Sequence, residues 1–121
     1  MVLVDTSVWV HHLRFGEPGL AKVLLDGEVL MHPFVIGEIA CGNMRKRTAI
    51  LSDLERLPKA ICAEHHEVLG LIEFHHLYGT GLGWVDAHLL ASALLSRSVV
   101  WTLDRGLAAV AAMLHLKYQI R

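Results

Sequence analysis

Short β-branched runs alternate with stretches of helical period along this chain. Val2-Leu3-Val4 is the first such run, and it stops abruptly on Asp5-Thr6-Ser7. Val99-Val100-Trp101 repeats the pattern near the other end and gives way to Thr102-Leu103-Asp104. Glu28 to His32 reads as a second strand, Ala60 to Cys62 as a short third one, and Leu116 to Ile120 as a last edge strand. Helical spacing covers Ser7 to Arg14, Leu20 to Leu25, Pro33 through Glu38 to about Cys41, Arg45 to Leu57, Glu64 to Leu77, Val85 to Leu95 and Leu107 to Leu114. Gly16-Glu17-Pro18-Gly19, Asp26-Gly27, Gly42-Asn43, Pro58 and the run Gly79 to Gly83 punctuate these segments. Alternation of this kind predicts an α/β layered domain with a mainly parallel sheet.

Composition narrows the picture. The 121 residues suit one domain, spanning 1–121, with a single core. Hydrophobic residues make up 54% of the chain, high for so small a domain, so part of the apolar surface is expected to face another protein. The early helices and the segment Leu51 to Leu57 are the expected faces of a homodimer. No apolar run reaches the roughly 18 to 20 residues that span a bilayer, and Asp5 interrupts any secretory-type start. Cys41 and Cys62 are too few for a disulfide scaffold and lack metal-site spacing. Two buried thiols in the cytoplasm are expected.

Four acids carry the candidate chemistry. Groups just beyond the carboxyl ends of strands in an open parallel sheet gather in one crevice, which suits Asp5 and Asp104. Asp86 falls in the first turn of an otherwise apolar helix, and Glu38 is flanked by Val35, Ile36, Ile39 and Ala40 on or beside a buried face. Singly, Asp5 and Asp104 could be helix N-caps and Asp86 a partner of the helix dipole. Together in one crevice they require a cation, and Mg²⁺ or Mn²⁺ takes oxygen ligands while keeping waters for chemistry. Thr6, Ser7 and Thr102 stand beside these acids, either as caps or as hydroxyls that orient a carboxylate or a metal-bound water.

Other features change the picture less. Net charge is −1, but with the four acids set aside eight remain against 11 Lys and Arg, which permits an anionic phosphodiester partner. Arg45-Lys46-Arg47 is the basic cluster, a solvated helix face or a grip on a phosphate backbone. The nine histidines include three adjacent pairs, and neighbours on a helix diverge by about 100°, which argues against a zinc site. Trp84 and Trp101 read as core residues rather than base-stacking platforms.

The run Val2 to Val10 resembles the opening of PIN-domain ribonucleases, in particular the VapC toxins of bacterial toxin–antitoxin pairs. The resemblance extends to Val35-Ile36-Gly37-Glu38-Ile39-Ala40, to Gly83 through Ala91, and to Val100-Trp101-Thr102-Leu103-Asp104-Arg105. It implies a three-layer α/β/α fold with a central parallel sheet of about five strands. It also implies Mg²⁺ or Mn²⁺ held by Asp5, Glu38, Asp86 and Asp104, supporting hydroxyls from Thr6 or Ser7 and Thr102, and endonucleolytic cleavage of RNA. A small antitoxin protein that blocks the site is the implied partner. Many relatives carry a second acid and a Phe after the last acid, where this chain has Gly106 and Leu107. Two rival readings stand beside the nuclease. A haloacid-dehalogenase-type phosphatase also places Asp after its first strand, but it needs a second Asp where Ser7 stands. A catalytically silent PIN-like module acting through partner docking would have no use for the intact acidic quartet.

Overall fold

A computed structural model describes residues 1–120 of the chain. Three strands, β1 (Val2–Val4), β2 (Val29–Leu30) and β3 (Val99–Trp101), form a parallel sheet in the order β2-β1-β3. Val2 pairs with Val29 on one side and Val99 on the other, and Val4 pairs with Trp101. Strand β1 is central because it has nothing polar to expose. Its three residues alternate between faces and all are buried, so the sheet is covered on both sides. Among the described residues, seven helices surround it: α1 (Thr6–Phe15), α2 (Pro18–Leu25), α3 (Pro33–Ala40), α4 (Arg47–Glu55), α5 (His65–Phe74), α6 (Trp84–Leu95) and α7 (Arg105–Met113).

The sheet has three strands rather than about five. The segments expected as a third strand and a last edge strand contribute one parallel bridge each, Lys59 to Met31 and Lys117 to Val100. For the first, a physical reason is visible. Pro58 has no N–H to give; the Ala60 amide still reaches the Met31 carbonyl at 2.8 Å, but beyond it Ile61 is taken by Ser96 Oγ at the end of α6, at 2.8 Å, and Ala63 by Ser92 Oγ at 3.0 Å. Helix α5 ends at Phe74, short of Leu77, because His76 adopts a left-handed φ of 53°.

Helix starts follow local chemistry. Pro18 and Pro33 occupy first-turn positions where a missing N–H costs nothing. His32 Nδ1 accepts from the Phe34 amide at 3.0 Å, and Glu64 and Glu67 form a reciprocal capping box on α5. Helix α6 is the internal one: Ala87 to Ala93 are all buried, and small residues at 91, 92 and 93 admit close neighbours. Cys41 and Cys62, expected to be buried, are both exposed. Cys41 lies past the last buried residue of α3, Ile39, and Cys62 follows Ile61 on the segment diverted from the sheet. No described helix is long and apolar enough to cross a membrane.

Leu3 sits fully buried at the centre of β1. Leu3→Ala should lower the unfolding free energy by about 2–5 kcal/mol in chemical denaturation. A loss below about 0.5 kcal/mol, the scale of an ordinary surface substitution, would contradict its central place.

Candidate active site

The carboxyl ends of β1 and β3 lie side by side, and the Asp5 amide donates to the Trp101 carbonyl at 2.8 Å as the last rung between them. Beyond that rung the chain turns into α1 on one side and α7 on the other. Two hydroxyls then converge on one carboxylate oxygen. Ser7 Oγ donates to Asp5 Oδ2 at 2.8 Å, and Thr102 Oγ1 donates to the same oxygen at 2.7 Å. Each hydroxyl also accepts a backbone amide, Ser7 from Leu103 at 2.9 Å and Thr102 from Asp104 at 3.0 Å. Asp5 is thus buried and fixed, and its side chain does not cap α1. Its Oδ1 receives no hydrogen bond among the described residues.

The other acids gather around this point. Thr6 Oγ1 donates to Glu38 Oε1 at 2.6 Å, linking the first residue of α1 to α3. Glu38 is exposed and lies beside the buried face of α3 that Val35, Ile36 and Ile39 form, not on it. Asp104 is also exposed, and its Oδ2 accepts the Leu107 amide at 2.8 Å, so it does cap α7. Asp86 is half-buried in the first turn of α6. Its carboxyl is pushed above the ordinary carboxylate range, first by desolvation and then by the charge of Asp5, with Asp104 and Glu38 adding to it. The Gly83 backbone N–H pulls the other way. One acid that feels three others places all four at one end of the sheet.

No ion pair among the described residues neutralises any of the four. The donor set is all oxygen and fits a hard divalent cation in type and charge. Among the described residues, no group of three or more His, Cys, Asp or Glu side chains stands close enough together to hold such an ion as it is. Glu38 spends one oxygen on Thr6 and Asp104 spends one on the start of α7.

The basic cluster does not act as one unit. Arg47 donates to the Ala40 carbonyl and ties α4 to the end of α3, while Lys46 is exposed in a left-handed conformation. Arg45 lines a cleft of about 520 Å³ whose wall includes Glu38 and also Arg14 of α1. Arg14 escaped sequence reasoning, although its place two turns beyond Thr6 on one helix could have suggested it. Trp101 is core, as expected, and stacks on Tyr118 with centroids 4.9 Å apart. Trp84 is not: 40% of it is exposed, because it opens α6 where the buried stretch has not yet begun.

Beneath the exposed rings lie two buried histidines, His32 and His88. Burial, with a smaller push from His88, lowers His32 to about 4, and burial followed by His65 lowers His88. His32 is therefore neutral at physiological pH, which suits packing against other rings.

Residues 2–113 match the PIN domain family. The chain is 44% identical over 113 residues to ribonuclease VapC32 of Mycobacterium tuberculosis, in strain CDC 1551 and in strain H37Rv alike. That alignment covers 93% of this chain and 91% of the relative. A parallel α/β sheet that gathers four acids at its carboxyl end agrees with both findings, and the chain belongs to the PIN-domain family, among its VapC members.

Proposed function

We propose that this protein is a metal-dependent endoribonuclease, the toxin of a type II toxin–antitoxin pair, acting as one PIN-like domain over residues 1–121. The observation that carries the reading is the buried Asp5 carboxylate, fixed by Ser7 and Thr102 where β1 and β3 end, with Asp86 feeling its charge and those of Asp104 and Glu38, and no ion pair to any of the four among the described residues. Like charges held together in a partly desolvated pocket favour a divalent cation. Mg²⁺ or Mn²⁺, when bound, supplies an acidified water and neutralises charge on the phosphate.

The residues divide that work. Asp5 and Asp86 are the principal holders of the cation, since both are already positioned at the end of the sheet. Asp104, committed to its cap through Oδ2, would contribute through its other oxygen or through a water. Glu38 uses Oε1 for Thr6, which leaves Oε2 to orient the attacking water and take its proton. Ser7 and Thr102 keep Asp5 in one rotamer, and Thr6 does the same for Glu38. Arg45 and Arg14 would hold the phosphate backbone in the cleft beside Glu38, with Lys46 adding charge at its rim. Gly106 and Leu107 offer no additional carboxylate, so a second ion would depend on the phosphate itself.

The VapC relatives are the ground for an RNA substrate, a small antitoxin that covers the site and a cytoplasmic setting. Exposed apolar residues such as Phe15 and Leu25 on the early helices favour a homodimer.

Asp5→Asn should abolish RNA cleavage while the far-ultraviolet circular dichroism stays that of the wild type. A folded Asp5→Asn variant with full activity would remove Asp5 from the site. Thr102→Val should weaken Mn²⁺ binding or cleavage by about 10- to 100-fold, as loss of a ligand-orienting group does elsewhere. An unchanged Mn²⁺ titration and cleavage rate would show that its hydrogen bond to Asp5 is dispensable.

Stability should report the same repulsion. Because the folded Asp86 carboxyl binds its proton more tightly than the unfolded one, its contribution is fully present below the ordinary carboxylate value. That contribution is lost as pH rises through the elevated value. Metal-free Asp86→Asn should therefore melt a few degrees above the wild type at pH 7, with the gap closing on acidification. Equal melting temperatures at pH 7 would mean that Asp86 experiences no net repulsion.

A further inference from the structure

Three helix starts meet beside the acids, and each brings an aromatic ring. Phe34 lies in the first turn of α3, His65 opens α5, and Trp84 opens α6. Buried His88 joins them: its ring centroid is 4.8 Å from that of Phe34 and 4.7 Å from that of Trp84. His65 continues the row at 5.0 Å from Trp84, and buried His32 supports Phe34 at 5.0 Å. The interplanar angles at His88, 63° and 84°, are those of edge-to-face contacts, in which at most one face of each ring meets its neighbour. Phe34 and Trp84 accordingly remain 39% and 40% exposed although each packs on a buried partner.

The row is continuous with the acidic site. Phe34 and Glu38 are one turn apart and share a face of α3, and Trp84 and His88 share a face of α6, so that His88 ties Trp84 to Phe34 and through it to the Glu38 side of the site. Aromatic rings that are rigidly held and half open, next to a place that cuts a phosphodiester, suit one occupant above others. An unpaired base can stack on them whatever its identity, since every base has a π-face. The N-terminal ends of three helices add a field that favours the attached phosphate.

We propose that Phe34, Trp84 and His65 form a stacking platform for an unpaired RNA base next to the cleaved phosphate. The proposal rests on the ribonuclease reading above. The three are positioning residues: they touch the base and set the phosphate over the acids, and they exchange no proton. A duplex keeps its bases stacked on each other and offers none to the platform.

Fluorescence isolates one of these rings, because Trp9 and Trp101 are 3% and 4% exposed and Trp84 is the open tryptophan. The full chain, as Asp5→Asn to prevent cleavage, is titrated with a short randomised single-stranded RNA and with a duplex of the same composition. Single-stranded RNA should quench Trp84 and shield it from acrylamide, and duplex should not. With the active protein and Mn²⁺, Trp84→Ala and Phe34→Ala should raise KM on the order of 10-fold, leave kcat within about twofold and keep the far-ultraviolet circular dichroism of the folded protein. Trp84→Phe should restore KM. Unquenched Trp84, or unchanged KM in a Phe34→Ala, Trp84→Ala double variant that still cuts RNA, would overturn the platform and leave the ribonuclease standing. A wild type that cuts no RNA would remove both.

Discussion

Everything at the functional end depends on one oxygen. Asp5 Oδ2 accepts from Ser7 and Thr102, and those hydroxyls in turn accept the amides of Leu103 and Asp104. Residues separated by nearly the whole chain are thereby tied together at the point where two parallel strands end. Each hydroxyl donates once and accepts a backbone amide, so the network satisfies groups that burial would otherwise leave unpaired. The cost of burying Asp5 is offset by two hydrogen bonds, and the reward is a carboxylate with one fixed rotamer and one oxygen left over.

Repulsion does the rest. Asp86 approaches from an independent helix, and its carboxyl is raised first by its own desolvation and then by the charges of Asp5, Asp104 and Glu38. The exposed acids relieve part of the strain by bonding to Thr6 and to the start of α7. On the proposed reading, Asp5 and Asp86 would hold a cation first, and Glu38 and Asp104, each bonded through one oxygen, would join it with the other. This division also explains why the hydroxyls are as important to the account as the acids.

Much of this was legible in the residues. The strands β1 and β3 were visible as β-branched runs ending on acids, and the convergence of Asp5 with Asp104 follows from parallel topology alone. Helices α1, α3 and α6 fell within a residue or two of expectation because prolines, glycines and hydroxyls mark their ends. Other features lay beyond local pattern. Whether a three-residue run becomes a strand depends on its amides, and serines 92 and 96, about 30 positions away, captured those of Ile61 and Ala63. The exposure of Glu38 and Trp84 was equally hidden, since apolar neighbours in sequence do not reveal which side of a helix faces the core. Cys41 falls just beyond the end of α3, and Cys62 lies on the segment diverted from the sheet, so both are exposed.

The claim that a single cation site draws on all four acids can be tested by paramagnetic broadening. In a ¹H–¹⁵N spectrum of the assigned protein, substoichiometric Mn²⁺ should erase the amide signals around Asp5, Glu38, Asp86 and Asp104 together, before any others. Broadening that begins elsewhere, for example around Asp26 and Glu28, or that reaches these four segments at separate concentrations, would contradict the account.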